Sequence, residues 1–262
     1  MFSDVAETRY DLHFKLLGVP IRVHPWFWVI SALLGSSGDA GLTVILFWVG
    51  CVFVSILVHE FGHALMGRRY GSNPSILLYS FGGLCYTGGE RTPWQRLAVL
   101  LAGPGAGFLL YFATMAVYGL LFGITPAENL AMSLPFLGLD SDPALRFSGF
   151  GKMTSEPAFL IYVMMVQINL YWSLVNLLPI WPLDGGQSAQ VLLCQVNRRE
   201  GVRWGHLIAF LTAGALAIVL GLRKQDMFLT LFMAYFAFVN YQALQSLHQA
   251  ARHDQGDSWW RP

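Results

Sequence analysis

The run from Leu42 to Met66 is long and apolar enough to cross a bilayer, and its ionisable groups come as one cluster: His59, Glu60 and His63. A membrane interior offers no water to backbone polar groups, so a helix is the natural form for such a run, and about 20 residues suffice to span. On that helix His59 and His63 stand four residues apart on one face, where both imidazoles reach one zinc, and Glu60 stands beside them to work on a bound water. Ionisable groups within a span are costly unless they pair, bind metal or line a cavity, so the cluster reads as a functional site.

The rest of the chain agrees with a bilayer setting. Of its residues 55% are hydrophobic and only 12% charged, against roughly 25% charged in a soluble domain. A net charge of +1 without a long basic run excludes a nucleic-acid surface. Cys51, Cys85 and Cys194 are odd in number, widely spaced and set in apolar stretches, so they read as buried thiols rather than a disulfide frame or metal site. Residues 1–23 carry scattered charges and no apolar core, which is not a secretory signal, so the first span is expected to serve as the targeting element.

Six apolar segments are read as membrane helices, near 24–38, 42–66, 97–123, 158–178, 205–222 and 227–247. The first is short enough to enter only partway, and the last two are parted by Arg223-Lys224-Gln225-Asp226. The expected fold is an all-α polytopic membrane protein of about six transmembrane helices, forming one domain over 1–262 without a separate soluble domain. With a cytoplasmic N-terminus, the inside segments hold Arg9, Lys15, Arg22, Arg68, Arg69, Arg91, Arg96, Arg198, Arg199, Arg203, Arg252 and Arg261, while the outside keeps Arg146, Lys152, Arg223 and Lys224. Twelve against four selects N-in, C-in topology. His59 then lies roughly 25 Å along the second span from its outer end, near the cytoplasmic side.

Between the second and third spans, Ser75–Ser80 and Leu84–Thr87 flank Phe81-Gly82-Gly83, an apolar pair around a glycine turn that predicts a β-hairpin. It is read either as membrane-associated, tucked against the helices, or as an ordinary cytoplasmic hairpin. A free strand edge there would capture an extended peptide by strand addition. The outer connection from about 124 to 157 has no clear periodicity and is too short for an independent domain.

A catalytic zinc held by two histidines needs one more protein ligand and keeps a position for water. The outstanding carboxylate is Asp184, in Asn176-Leu-Leu-Pro-Ile-Trp-Pro-Leu-Asp-Gly-Gly186, which the topology brings out at the cytoplasmic end of the fourth span. Pro179 and Pro182 stop a regular helix there, and Gly185-Gly186 permit a tight bend that turns the carboxylate toward a metal. The alternative is that Asp184 caps an amphipathic helix beginning near Gly186. Asn169, Ser173 and Asn176 form one polar stripe on the fourth span. Asn169 and Ser173 suit interhelical hydrogen bonds as well as a site, whereas Asn176 is the better candidate for stabilising a developing oxyanion. Ser55, one turn before His59, reads either as support for the site or as a hydroxyl bonded to its own helix. His24 is placed in an interfacial aromatic belt with Trp26, Phe27 and Trp28, and His13, His206, His248 and His253 are expected at solvated or interfacial positions.

The pairing of His59-Glu60-Phe61-Gly62-His63 with Asn176-x-x-Pro179-x-x-x-x-Asp184-Gly185 resembles the site-2 protease family of intramembrane zinc metalloproteases. Gly18-Val-Pro-Ile-Arg-Val-His-Pro25 and the hairpin with Phe81-Gly82-Gly83 are similar as well, so the resemblance covers most of the chain. It implies one Zn2+ per chain held by His59, His63 and Asp184, with Glu60 as catalytic base. It also implies cleavage of peptide bonds in or near transmembrane segments of membrane-bound regulators, with a membrane-spanning protein as substrate and the lipid bilayer as setting. Many members carry a PDZ or CBS domain, and neither fits here; the compact layout resembles the branch typified by bacterial sporulation-factor proteases, for which a prokaryotic cytoplasmic membrane is the expected location. The competing expectation is a noncatalytic membrane adaptor retaining a structural metal site.

Overall fold

The computed structural model describes residues 5–36, 41–80, 82–89, 92–198, 200–223 and 227–256. Of the residues weighed above, Ser37, Gly38, Phe81, Arg91, Arg199, Lys224, Gln225, Asp226 and Arg261 lie outside the described residues, as do the side chains of Arg252 and His253. Two strands, β1 (Leu12–Leu16) and β2 (Val19–Val23), precede helices α1 (Pro25–Gly35) and α2 (Leu42–Arg69). Strands β3 (Ser75–Tyr79) and β4 (Gly82–Tyr86) follow, then α3 (Pro93–Phe122), α4 (Pro126–Ser133), α5 (Pro143–Lys152), α6 (Glu156–Asn176), α7 (Asp184–Val196), α8 (Gly201–Arg223) and α9 (Met227–Gly256).

Among the described residues, five helices have the length and composition to cross a membrane: α2, α3, α6, α8 and the Met227–Gln249 part of α9. The first predicted segment differs. It is an 11-residue helix, about 16 Å long, half of the roughly 30 Å hydrocarbon thickness. His24 caps it by accepting a hydrogen bond from the Trp26 N–H (3.2 Å), and Pro25 fits the first helical position, where no amide donor is needed. Trp48 lies against its far end and donates from Nε1 to Ser31 O (3.1 Å). His24 is therefore a buried capping residue edge-on to Tyr79, at 4.9 Å between ring centroids, and not part of an exposed aromatic belt.

The chain divides into two compact units, Met1–Glu90 with Ala102–Leu174, and Arg91–Leu101 with Val175–Pro262. In the first, the four strands form one sheet in the order β1-β2-β3-β4. The two hairpins are antiparallel, and β2 runs parallel to β3 with Ile21 opposite Ile76 and Val23 opposite Leu78. Strand β2 alternates, burying Val19, Ile21 and Val23 with Phe27, Ile56, Phe61, Ala64, Ile76 and Leu78 in one core. The predicted hairpin is present, with Gly82 and Gly83 opening β4 rather than turning the chain; Ser80 makes the turn at φ +50°. Strands β1 and β2 were not anticipated.

The 124–157 connection is also more ordered than a loop. Thr125 and Glu128 form a reciprocal capping box at the start of α4, and Asp142 caps α5 through the Ala144 N–H (2.9 Å). Glu128 joins the two helices by accepting from Lys152 Nζ and Ser148 Oγ, each at 2.6 Å.

The second unit packs Ile180, Ala213, Met233, Phe236 and Ala237 into its core. Helix α6 ends at Asn176, ahead of Pro179 and Pro182, where two missing amide donors forbid continuation.

Candidate metal centre

Helix α2 carries His59, Glu60 and His63 on its inward face, where they are 2%, 4% and 6% exposed. One ligating atom from each lies within 4.8 Å of the others. The two Nε2 atoms are 3.3 Å apart. Two nitrogens bound tetrahedrally to zinc at 2.0–2.1 Å are separated by about 3.3 Å, so the imidazoles already hold the bite of a zinc ion.

Space for the ion comes from α3. A Cβ built on Gly103 would lie 2.2 Å from His63 Nε2 and 2.8 Å from His59 Nε2, so the absent methyl leaves open the region the two nitrogens face. The close approach of the helices is built from small residues. A Cβ on Gly62 would meet Ala102 O at 2.2 Å, and one on Gly107 would meet Ser173 Oγ at 2.2 Å. Helices in lipid associate by such packing because burial of apolar surface gives them no drive. The glycine-rich Gly103-Pro-Gly-Ala-Gly107 in an apolar span was the signal for this face.

Two further elements border the cluster. The Trp172 ring on α6 stands edge-on to His59, 6.4 Å between centroids. Strand β4 crosses Glu60, since a Cβ on Gly83 would be 2.3 Å from Glu60 Cγ and 2.6 Å from Oε1, and one on Gly82 would be 3.4 Å from Trp172. The glycine pair thus lets a strand lie flush on the carboxylate. Among the described residues the one strand that β4 pairs with is β3.

The polar stripe on α6 divides in its duties. Asn169 Nδ2 donates to Ser55 Oγ (3.0 Å) and to Met165 O (2.8 Å), which ties α6 to α2. Ser55 accepts from that amide and faces Met165 Sδ at 3.9 Å instead of bonding its own helix backbone. Ser173 is fully buried against Gly107, and its Oγ has no hydrogen-bond partner among the described residues.

Asp184 and Asn176 belong to the second unit. Asn176 is the last residue of α6 and is buried. Asp184 is the first residue of α7, also buried, where the helix dipole favours a negative side chain. The alternative of Asp184 capping a helix that begins near Gly186 does not hold: the helix begins at Asp184 and Leu183 occupies the cap position. The preceding turn folds tightly onto α7. A Cβ on Gly185 would lie 2.2 Å from Leu177 O, and one on Gly186 would lie 2.2 Å from Ile180 C, so both positions demand glycine.

This turn is held from the side by a buried network that the sequence reading missed. Asn240 on α9 donates from Nδ2 to Trp181 O (2.7 Å) and Phe236 O (2.8 Å), and His206 Nδ1 on α8 donates to Asn240 Oδ1 (2.8 Å). His206 stacks edge-on to Trp181 at 5.4 Å and is 8% exposed, which corrects its placement at a solvated span end.

Comparisons with known proteins find related chains. A Synechocystis sp. protein provisionally named a zinc metalloprotease is 28% identical over 72% of this chain and 46% of its own length. Rip3 of Mycobacterium tuberculosis, with the same provisional name, is 32% identical over 71% of this chain and 44% of its own. The chain thus spans about half the length of these two relatives. Stage IV sporulation protein FB of Bacillus subtilis is 27% identical over 87% of this chain and 68% of its own. Among solved structures, the site-2 protease from Methanocaldococcus jannaschii shares the fold, with a TM-score of 0.55 at 20% identity, over 90% of this chain and 95% of that one. Residues 47–220, which contain the histidine pair, both glycine-lined contacts and Asp184, match the model of peptidase family M50, and the chain belongs to that family.

Proposed function

We propose that this multi-pass membrane protein is an intramembrane zinc metalloendopeptidase that cleaves peptide bonds in or near transmembrane segments of membrane-bound proteins. The observation that carries this is the pair of imidazole nitrogens 3.3 Å apart, with Glu60 beside them, inside a helix of membrane length. Its relatives' names point the same way.

In this reading His59, His63 and Asp184 would hold the zinc, which would supply an activated water. Zinc, when bound, lowers the pKa of its water to about 7 and polarises the scissile carbonyl. Glu60 accepts the proton from the attacking water and returns it to the leaving amine. The Asn176 amide donates to the developing oxyanion. A helical substrate hides its carbonyls in its own hydrogen bonds, so it must unwind locally; the Gly82-Gly83 start of β4, which lies against Glu60, offers the place for strand addition by the unwound segment. The positive-inside bias supports N-in, C-in topology in a prokaryotic cytoplasmic membrane with the metal toward the cytoplasmic face.

The test is purified Glu60→Gln protein in proteoliposomes with a single-span substrate. Zinc content should match wild type while cleavage falls by about 100-fold or more. Cleavage persisting near the wild-type rate would refute Glu60 as the base.

A further inference from the structure

Helices α1, α2 and α6 line a half-open cavity of about 180 Å³ with almost wholly apolar walls. Apolar cavities of roughly 150 Å³ hold a benzene ring, so this one suits a single large side chain and is far too small for a helix.

Its position is what gives it meaning. Val52 and Ile56 line it on the stripe of α2 that leads to His59 and Glu60. Trp172 lines it too, and the same ring stands edge-on to His59. Ser80, at the tip of the β3–β4 hairpin, forms another wall. From there the strand passes over Trp172 at Gly82 and over Glu60 at Gly83. Successive residues of an extended chain point to opposite faces, and Gly82 faces Trp172 where Gly83 faces Glu60. A peptide lying along β4 with a carbonyl at Glu60 therefore brings a neighbouring side chain over Trp172 and into the cavity.

The wall also carries Gln167, whose amide makes no side-chain hydrogen bond among the described residues. Gln167 is part-buried, and a ligand that hydrogen-bonds its amide gains from the pairing. The backbone of an unwound peptide supplies both the donor and the acceptor it lacks.

We propose that this cavity is a substrate subsite. It takes one large apolar side chain, within two residues of the bond presented to Glu60, while Gln167 bonds the backbone beside that side chain. The inference rests on the protease reading above and adds a sequence preference to it.

The experiment uses the full chain in detergent and a set of single-span peptides with Gly, Ala, Leu, Phe or Lys at one guest position. That position is scanned through three residues on each side of the cleaved bond. Binding is read on zinc-loaded Glu60→Gln protein by fluorescence anisotropy, and cleavage on wild type. At one position Phe and Leu should bind about 10–100-fold tighter than Gly. Filling the cavity with Val52→Phe should flatten that ladder, and Gln167→Leu should weaken all members alike. A flat ladder at every position overturns the proposal without recourse to any variant. So does an unchanged ladder in Val52→Phe protein with full zinc content. A normal ladder beside wild-type protein that cleaves nothing refutes the protease reading and leaves the subsite standing.

Discussion

Replacing Gly103 with alanine tests the metal centre at its tightest contact. The new methyl would sit 2.2 Å from His63 Nε2, where ordinary contact begins at 3.4 Å, so the ring must retreat by about 1.2 Å. Metal–ligand distances tolerate about 0.2 Å, and the retreat exceeds that several times over. Backing α3 away instead would open its close packing on α2 at Gly62 and Ala102. Disturbing an outer partner of a ligand costs 10–100-fold in affinity, and displacing the ligand itself should cost about 100-fold or more. The assay is competition for zinc between purified protein and a chromophoric chelator. Gly105→Ala is the matched control on the same helix, since a Cβ there meets nothing within 4 Å. It should bind zinc as wild type does. Equal zinc affinity for the two variants would refute the steric reasoning.

Asp184→Ala should lower zinc affinity by a similar factor, and unchanged binding would rule it out as a ligand. Asn240→Ala leaves Trp181 O and His206 without their partner. It should destabilise the protein by about 1–3 kcal/mol in thermal unfolding and weaken zinc through the turn that leads to Asp184. A melting point unchanged from wild type would count against the network. Glu128 is held down to about 2 by Lys152 first, then by Ser148 and the Thr125 amide. Its contribution to the α4–α5 pairing is complete above its ordinary value of 4.5 and is lost as pH falls from there toward 2. Amide exchange over 126–152 should quicken across that interval in wild type and show no such step in Glu128→Gln.

The long helices were readable because lipid imposes one rule on every residue of a span, and α2, α3, α6, α8 and α9 follow it within a few residues. The histidine pair was readable because four-residue spacing on a helix has one geometric meaning. Elements governed by local contacts were harder. Strand β1 is exposed on both faces and mixes His13 and Lys15 with its apolar residues, so its alternation carried little contrast. Helices α4 and α5 advertised themselves only through caps, Thr125 with Glu128 and Asp142 before Pro143, inside a segment without apolar periodicity. Gly82 and Gly83 looked like a turn, yet they serve a close approach to Glu60 that only the fold reveals. His206 looked solvated because its position was judged along the chain, whereas its partner Asn240 comes from another helix.

The parallel pairing of β2 with β3 imposes an order on biogenesis. The first hairpin is complete at Val23, but its partner strand begins only at Ser75, and a ribosome needs roughly 3–10 s to make the residues between. Helix α2, with both histidines, is therefore synthesised before the strand that borders Glu60 exists. A nascent chain therefore holds both histidines for seconds before the sheet that borders Glu60 can form.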